Sequence, residues 1–288
     1  MDERLERLNC LICGKDEADI FMKGPKGIDV VKCRNDGLLY LNPRPKKDYL
    51  VEYFKNFVTN DNIEQFTFAR KKVLKEEAGV IKQFKSGGGN LLDVGCATGV
   101  FFENFPSDKW HLFGLDTSSI GVKTAEFRYG AQVSLGTLKD ARYPTQFFDV
   151  VTVLDTIFLI SDPIEELMEI KRILKEDGIL AIEIQGFNYR LFRDKGLLSW
   201  FLDRKWVRGF YNSMHLYFFS SSTIRLLLIK SGFSIFRMIP EQASLGRKGI
   251  WDTLNNVHFF AARLLVKISG GVFSIAGKEL YLAKKESK

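Results

Sequence analysis

Two acidic residues and two glycines stand at the ends of neighbouring apolar runs. Residues 91–99 read LLDVGCATG, in which Asp93, Gly95 and Gly99 follow two leucines. Glycines at this point allow a tight turn and a close approach of backbone to a ligand, and a following helix offers free N–H groups. Asp116 ends the next run, FGLD, where a carboxylate can accept both hydrogen bonds of a ribose diol. Together these features favour a cofactor loop over a structural turn.

The spacing in this loop argues against a dinucleotide. The dinucleotide fingerprint is G-x-G-x-x-G, whereas Asp93 occupies the first glycine position here and three residues separate Gly95 from Gly99. A carboxylate beside a pyrophosphate would be repelled. A cofactor with positive charge fits better, and S-adenosylmethionine carries a sulfonium and an ammonium group.

The elements that must position these residues alternate between strand-like and helix-like segments from residue 90 onward. The segment DPIEELMEIKRILKEDG is a predicted helix that begins at the Asp162 cap, with Pro163 in its first turn, and closes at Gly178. Such alternation predicts an α/β fold, a Rossmann-like, mostly parallel sheet with helices on both faces. Ligands of such sheets bind outside the carboxyl ends of the strands.

The ordered set of motifs resembles the class I S-adenosylmethionine-dependent methyltransferases from about residue 45 to the end. LLDVGCATG is similar to the first motif, D-x-G-x-x-x-G, and FGLDTSS to the second, while GTLKDARYPTQFFDVVTVLD resembles the third and fourth. HLYFFSSSTIRLLLIKSGF resembles a segment of a subgroup that carries a small cysteine module in front. The resemblance implies a seven-stranded sheet whose last strand, KELYLAKK, is antiparallel. It also implies an enzyme that uses S-adenosylmethionine and releases S-adenosylhomocysteine.

The same resemblance implies a set of cofactor-binding residues in the loops that follow the strands. Asp116 would bind the ribose, residues 137 and 138 would border the adenine, and Asp155 would end the fourth strand at the cofactor. The expected set is Asp93, Gly95, Cys96, Ala97, Gly99, Asp116, Thr117, Thr137, Leu138, Asp155 and Thr156.

Methyl transfer from a sulfonium is a direct displacement, so alignment of acceptor and methyl group matters most. A base is needed only if the acceptor must lose a proton. His215, in SMHLYFFS, is the catalytic candidate, and the alternative is that it caps the following helix or satisfies backbone groups. Many relatives have a Glu-His pair after the fourth strand, where this chain has Phe158 and Leu159. Either His215 or a substrate group replaces that pair, no base is needed, or activity is reduced or absent.

Residues 1–45 are expected to form a small zinc-ribbon-like cysteine module in front of a methyltransferase domain at 46–288. Cys10, Cys13 and Cys33 match the cysteines of the resembling proteins, and Asp36 stands at the fourth position. Aspartate can ligate zinc, although structural sites favour Cys and His. The alternatives are therefore a zinc site of three cysteines and Asp36, or a metal-free knuckle with buried thiols.

Two additions follow the fifth strand. The basic and aromatic segment at about 187–214 is expected to be a helical cap, and its arginines could recognise a phosphorylated or glycosyl acceptor. They are Arg190, Arg193, Arg204 and Arg208. Apolar residues at helical spacing predict an amphipathic helix at about 250–269, which usually packs in a core or dimer. Its basic neighbours leave open a peripheral membrane contact.

Composition limits the remaining choices. The 288-residue chain has a net charge of +7, but the surplus is spread along it, which disfavours nucleic acid. Its charged first residues are not a signal peptide, and four cysteines without a secretory signal favour a reducing, cytoplasmic setting. The expected function is methyl transfer to a small-molecule or glycan acceptor. The alternatives are a nucleic-acid methyltransferase or a non-catalytic S-adenosylmethionine-binding protein. The sequence does not predict an oligomeric state.

Overall fold

The computed structural model describes residues 3–55, 70–186, 215–241, 250–271 and 273–286, with the backbone alone for 250–255. Its strands are β1 (Leu5–Glu6), β2 (Ala18–Met22), β3 (Asp29–Cys33), β4 (Leu39–Asn42), β5 (Arg44–Pro45), β6 (Gly89–Val94), β7 (Trp110–Asp116), β8 (Gln132–Leu135), β9 (Phe148–Leu154), β10 (Leu174–Gln185), β11 (Tyr217–Phe218), β12 (Phe233–Glu241) and β13 (Lys278–Lys285). Its helices are α1 (Lys47–Lys55), α2 (Lys71–Phe84), α3 (Ser119–Tyr129), α4 (Leu138–Ala141), α5 (Pro163–Ile173), α6 (Ser221–Lys230) and α7 (Ile250–Ile268).

The main sheet has seven strands in the order β12-β13-β10-β9-β6-β7-β8. Strands β6 to β10 pair in parallel, and β13 runs antiparallel to both β10 and β12. This topology confirms the predicted Rossmann-like fold and its antiparallel last strand. Because β6, β7, β9 and β10 are parallel, the loops after them meet at one edge of the sheet.

Both faces of the sheet are covered by helices. On one face, α2 buries Leu74, Ala78 and Ile81 against the sheet. On the other, α5 and α6 bury residues that include Ile170 and Leu227. The strands are buried on both sides, which explains their nearly continuous apolar sequence.

Helix α5 begins where the sequence predicts, but it ends earlier. The Asp162 side chain accepts a hydrogen bond from the Glu165 N–H at 3.1 Å, and Pro163 occupies the first helical position. The helix stops at Ile173 and not at Gly178, because Leu174 is fully buried and already pairs with Phe148 of β9. The predicted end was therefore five residues too late.

A small antiparallel sheet of order β11-β4-β3-β2 lies near the N-terminus, with Cys33 at the end of β3 and Cys10 and Cys13 in the turn before β2. Its edge strand β11 comes from residues 217–218, far along the chain, and pairs Tyr217 with Tyr40. Arg44 strengthens the same junction, because its Nη1 donates to Ser161 O at 2.7 Å and to Tyr217 Oη at 2.6 Å. The division at residue 45 stays a prediction, since the small sheet contains strands from both sides of it.

Helix α7 occupies the segment in which an amphipathic helix is predicted. Its Ala262 and Val266 are buried, and the helix contacts β12. Val257, Leu264 and Ile268, which the sequence places in a core or dimer contact, are exposed. The predicted cap at 187–214 lies outside the described residues. No helix in the described ranges is both long enough and apolar enough to cross a membrane.

Candidate active site

A cavity of ≈ 1500 Å³ opens at the carboxyl ends of the parallel strands. Predicted residues from each of the strand-end loops line it: Gly95, Ala97, Asp116, Thr117, Thr137, Asp155, Thr156 and His215. Asp93, Cys96, Gly99 and Leu138 are not among the described residues that line it. The sheet topology thus brings eight of the predicted side chains or backbone segments to one space.

The turn after β6 requires glycine at its first position. Gly95 has φ of +78°, and a Cβ there would lie 2.5 Å from Thr156 Oγ1. The N–H groups of Gly95 and Cys96 both donate to Leu115 O, at 2.7 and 3.1 Å. Gly99 also has a positive φ, but its missing Cβ makes room for Ala125 of α3 and not for the cavity. The first glycine therefore shapes the cavity wall, and the second allows helix packing.

Asp116 is held in place by backbone donors. Its Oδ2 accepts from the Ala97 N–H and its Oδ1 from the Ser118 N–H, both at 2.8 Å. Burial raises the pKa of Asp116, although these backbone hydrogen bonds oppose the shift. Each carboxylate oxygen keeps a second lone pair that can accept a hydroxyl proton. The arrangement fits the ribose diol that the sequence leads us to expect.

Asp93 does not line the cavity, and its carboxylate contacts the neighbouring strand β9. Its Oδ1 accepts the Thr152 hydroxyl at 2.7 Å, and the side chain is almost fully buried. Burial raises the pKa of Asp93 to about 7, against the opposing effects of Thr152 and Arg70. A direct contact of this carboxylate with a cofactor stays a prediction, and the geometry indicates a supporting role for Asp93 beneath the loop.

Thr137 lines the cavity after β8, and local hydrogen bonds hold it in place. Thr137 caps α4: its hydroxyl accepts from the Asp140 N–H, while the Asp140 carboxylate accepts from the Thr137 N–H at 3.0 Å. Leu138 is fully buried in the core, and Cys96 is buried as well. Of the two residues predicted to border an adenine, only Thr137 reaches the cavity.

Asp155 stands at the cavity wall in a left-handed backbone conformation, with φ of 57°. Its carboxylate receives Gln185 Nε2 at 3.0 Å and lies 3.5 Å from Lys278 Nζ and 3.7 Å from Arg70 Nη1. Burial alone would raise the pKa of Asp155, but the charges of Lys278 and Arg70 hold it well below its ordinary value. Asp155 is therefore an anion in the folded protein.

The same two cations contact a fully buried acid, Glu183 of β10. Sequence reasoning missed Arg70, Glu183 and Lys278. A charged residue inside the apolar run ILAIEIQ was the available signal for Glu183. Lys278 begins the antiparallel strand beside β10, so the predicted topology already placed it at the cavity end of the sheet.

His215 is buried at the cavity wall, and its ring centroid lies 4.1 Å from that of Phe158. It also contributes to the low pKa of Asp155. Helix α6 is capped by Ser220, whose hydroxyl accepts from the Thr223 N–H, so His215 does not cap that helix. Phe158 and Leu159 both line the cavity, which places apolar groups where many relatives carry the Glu-His pair.

Charged and apolar side chains of two helices also line the cavity. Lys47 and Leu50 of α1 reach it from one side, and Glu166 of α5 from another. Burial raises the pKa of Glu166 to about 7, although Lys47 opposes the shift. These side chains offer both polar and apolar contacts to a ligand in the cavity.

The four predicted metal ligands come together where the turns before β2 and after β3 meet. Cys10 Sγ lies 3.1 Å from Asp36 Oδ2, and Cys13 Sγ lies 3.5 Å from Cys33 Sγ. One ligand atom from each of the four residues lies within 4.8 Å of the others. A tetrahedral zinc site has ligand atoms at this kind of separation, so the residues fit the ion.

A methyltransferase family model, described as "Methyltransferase domain", matches residues 63–237. The chain belongs to this family. It is therefore an enzyme of the methyltransferase class, and S-adenosylmethionine is its cofactor, as the motifs predict. The alternative of a non-catalytic binding protein is not supported by this assignment.

Solved structures show the same fold at low sequence identity. A chain from the complex between a Haloferax volcanii methyltransferase and the Trm112 methyltransferase activator is 17% identical, with a TM-score of 0.53, and the match covers 80% of this chain and 100% of that one. A methyltransferase from Thermotoga maritima is 18% identical, with a TM-score of 0.53 and coverage of 82% and 100%. No curated protein matches the chain significantly.

Proposed function

We propose that this methyltransferase acts on a small-molecule or glycan acceptor by direct displacement at the sulfonium. The observation that carries the proposal is the size of the cavity, ≈ 1500 Å³. Pockets for drug-sized ligands are about 300–1,000 Å³. The space at the strand ends therefore exceeds what a cofactor alone requires and leaves room for an acceptor beside it.

The donor supplies a methyl group already activated for transfer, and the residues of this chain would hold and orient it. Asp116 would bind the ribose hydroxyls, Thr137 would border the purine, and the Gly95–Ala97 turn would approach the donor with its backbone. Asp155 and Thr156 would lie at the amino-acid end, where Arg70 offers a charge opposite to a carboxylate. Asp93, Cys96, Gly99 and Leu138 would support these groups from behind.

His215 would face the acceptor. It lies in the same cavity wall as Asp155 and Phe158, and an imidazole can accept a proton near neutral pH. If the acceptor is a hydroxyl or an acidic carbon, His215 is the residue proposed to receive its proton. If the acceptor has a free lone pair, alignment by the cavity suffices.

The donor site can be tested by calorimetric titration with S-adenosylhomocysteine. We expect micromolar binding by the intact chain and at least about tenfold weaker binding by Asp116→Ala, since each diol hydrogen bond to a charged group contributes about 1.5–3 kcal/mol. The variant Asp116→Asn keeps the size of the side chain. It therefore shows whether weaker binding by Asp116→Ala results from a collapsed loop or from lost contacts to the ribose diol. The exposed Asp177→Ala is the matched control and should bind normally. Tighter binding of NAD(H) would contradict the proposal.

The acceptor class can be tested with labelled S-adenosylmethionine and mixtures of small molecules, nucleotide sugars and RNA. We expect transfer to a small or glycosyl acceptor and a lower turnover in His215→Gln with unchanged S-adenosylhomocysteine affinity. Labelling of RNA with a steep salt dependence would instead support a nucleic-acid substrate.

We also propose that Cys10, Cys13, Cys33 and Asp36 hold one zinc ion. The proposal rests on the proximity of the four side chains, whose ligand atoms lie within 4.8 Å of one another. Elemental analysis of the purified protein should find about one zinc per chain, lost in Cys33→Ser and retained more tightly in Asp36→Cys. Retained zinc in Cys33→Ser would place the ion elsewhere.

A further inference from the structure

Helix α7 leaves an apolar stripe exposed opposite its buried face. Val257, Phe260, Leu264 and Ile268 lie three or four residues apart, so they share one side of the helix. Their exposed fractions are 63%, 72%, 49% and 74%. Ala262 and Val266 hold the other side against the protein, so the helix is anchored and the stripe is not part of a core. A continuous exposed stripe of this kind marks an interaction surface.

The charges beside the stripe define the partner. Arg263 and Lys267 are exposed and lie one turn apart next to Leu264 and Ile268. No acidic residue occurs between residues 253 and 278, and the whole chain carries a net charge of +7. Long basic side chains can lay their methylene stems along an apolar surface while their charge reaches outward. A partner that fits this surface therefore has an apolar interior covered by a negatively charged layer.

A second copy of this chain fits the surface poorly. A two-fold interface would place the same stripe against itself, so Arg263 and Lys267 of both copies would meet. The segment offers no carboxylate to neutralise them. Self-association through α7 would thus collect four positive charges around one contact.

We propose that α7 binds in the plane of an anionic phospholipid bilayer. The stripe enters the boundary between head groups and acyl chains, and Arg263 and Lys267 contact the anionic head groups. Phe260 and Ile268 contribute most of the apolar contact because they are the most exposed of the four. None of the described α7 residues lines the cavity, and this binding does not depend on the acceptor of the methyl group.

Flotation of the full chain with lipid vesicles tests the proposal. The vesicles contain either phosphatidylcholine alone or equimolar phosphatidylcholine and phosphatidylglycerol. We expect binding to the anionic vesicles that weakens at high salt, and at least about tenfold weaker partitioning for the double variant Phe260→Ser, Ile268→Ser. The variant Arg263→Gln, Lys267→Gln should lose about fivefold for each charge removed on anionic vesicles only.

A matched control is available on α3. Phe127 is 91% exposed and stands alone, so Phe127→Ser removes an exposed phenylalanine without touching the stripe and should bind as the intact chain does. Circular dichroism checks that all variants fold. Equal binding to both vesicle types, or equal loss in Phe127→Ser, would overturn the proposal. Light scattering that shows a dimer abolished by the Phe260 and Ile268 changes would assign the stripe to a second copy instead.

Discussion

Four charged residues, of which Arg70 and Asp155 line the cavity, balance one another inside the protein. Asp155 and Glu183 supply two negative charges, and Arg70 and Lys278 supply two positive ones, each cation lying next to both acids. Removing one partner of such a buried group leaves an uncompensated charge, which usually costs about 3–5 kcal/mol. Lys278 is central, because it is nearly buried and also lies beside the residue that lines the donor site.

Lys278→Met should therefore destabilise the protein by about 3 kcal/mol and raise the pKa of Asp155. Lys285→Met is the matched control: it lies on the same strand, but its partner Glu176 is largely exposed, so the loss should stay below about 1 kcal/mol. Urea unfolding of both variants measures the difference. Equal decreases in the free energy of unfolding would mean that these four charged residues do not act as a balanced set.

Glu77 and Glu241 form a second buried acidic site behind this group. Both oxygens of Glu77 and Oε2 of Glu241 lack a hydrogen-bond partner among the described residues, and the two carboxyl groups lie within 4.8 Å of Glu183 and of each other. Burial raises the pKa of Glu241 to about 8 and that of Glu77 well above its ordinary value. At neutral pH the pair therefore keeps protons that the unfolded chain would release.

Because the folded protein retains these protons, the sign of the pH dependence of its stability follows. The folded state binds more protons than the unfolded state between about pH 4.5 and pH 8, so the free energy of unfolding from this pair falls as the pH rises through that window. Glu77→Gln removes one of the two protonation sites and should make the decline shallower. Urea unfolding at several pH values measures it, with the exposed neighbour Glu76→Gln as control. An unchanged slope would contradict the assignment.

The residues in sequence motifs were easier to predict than those that surround them. Asp116 and Gly95 stand out because each follows a strand-like run directly. Arg70, Glu183 and Lys278 are separated by about a hundred residues each, and only the strand order brings them together. The sequence offers separate signals for Glu183 and Lys278, but no periodicity or spacing in the chain shows that the two meet Arg70.

At the scale of elements, glycine is required in a turn for two different reasons: a positive φ, and a lack of space for a Cβ atom. Gly95 and Gly130 both have a positive φ, but a Cβ on Gly130 would meet nothing within 4 Å. Gly95→Ala should therefore weaken S-adenosylhomocysteine binding by at least about tenfold, because the loop must move away from Thr156. Gly130→Ala should cost about 1 kcal/mol of stability and leave binding unchanged. Calorimetry and thermal unfolding measure the two effects, and normal binding by Gly95→Ala would show that the turn tolerates displacement.

Helix starts were predictable, whereas helix ends and buried faces were less so. Asp162 caps α5 through a local hydrogen bond that the sequence indicates directly. The end of α5 depends on Leu174 entering the sheet, which is a tertiary contact. The buried face of α7 depends in the same way on its contact with β12, so apolar periodicity predicts the amphipathic helix but not which of its sides packs against the chain itself.

At the scale of the whole molecule, Arg44 connects the cysteine-bearing sheet to the methyltransferase fold. Its guanidinium contacts Glu6, Ser161 and Tyr217, and it is nearly buried. Arg44→Met should lower the free energy of unfolding by about 3 kcal/mol, because it leaves buried acceptors unpaired. It should also speed proteolysis within residues 3–45. Arg34→Met breaks only an exposed pair with Asp19 and should change either quantity little. Similar effects of both changes would argue against a junction at Arg44.

The strand pairing of β11 with β4 has a consequence for the order in which the protein forms. Residues 39–42 leave the ribosome early, but their partner strand lies at residues 217–218. During synthesis the growing chain therefore carries an unpaired strand edge until most of the methyltransferase fold has been made. Contacts of such long sequence separation also slow folding. The N-terminal sheet is therefore the first part to be synthesised, but it is completed only after residues 217–218 have been made.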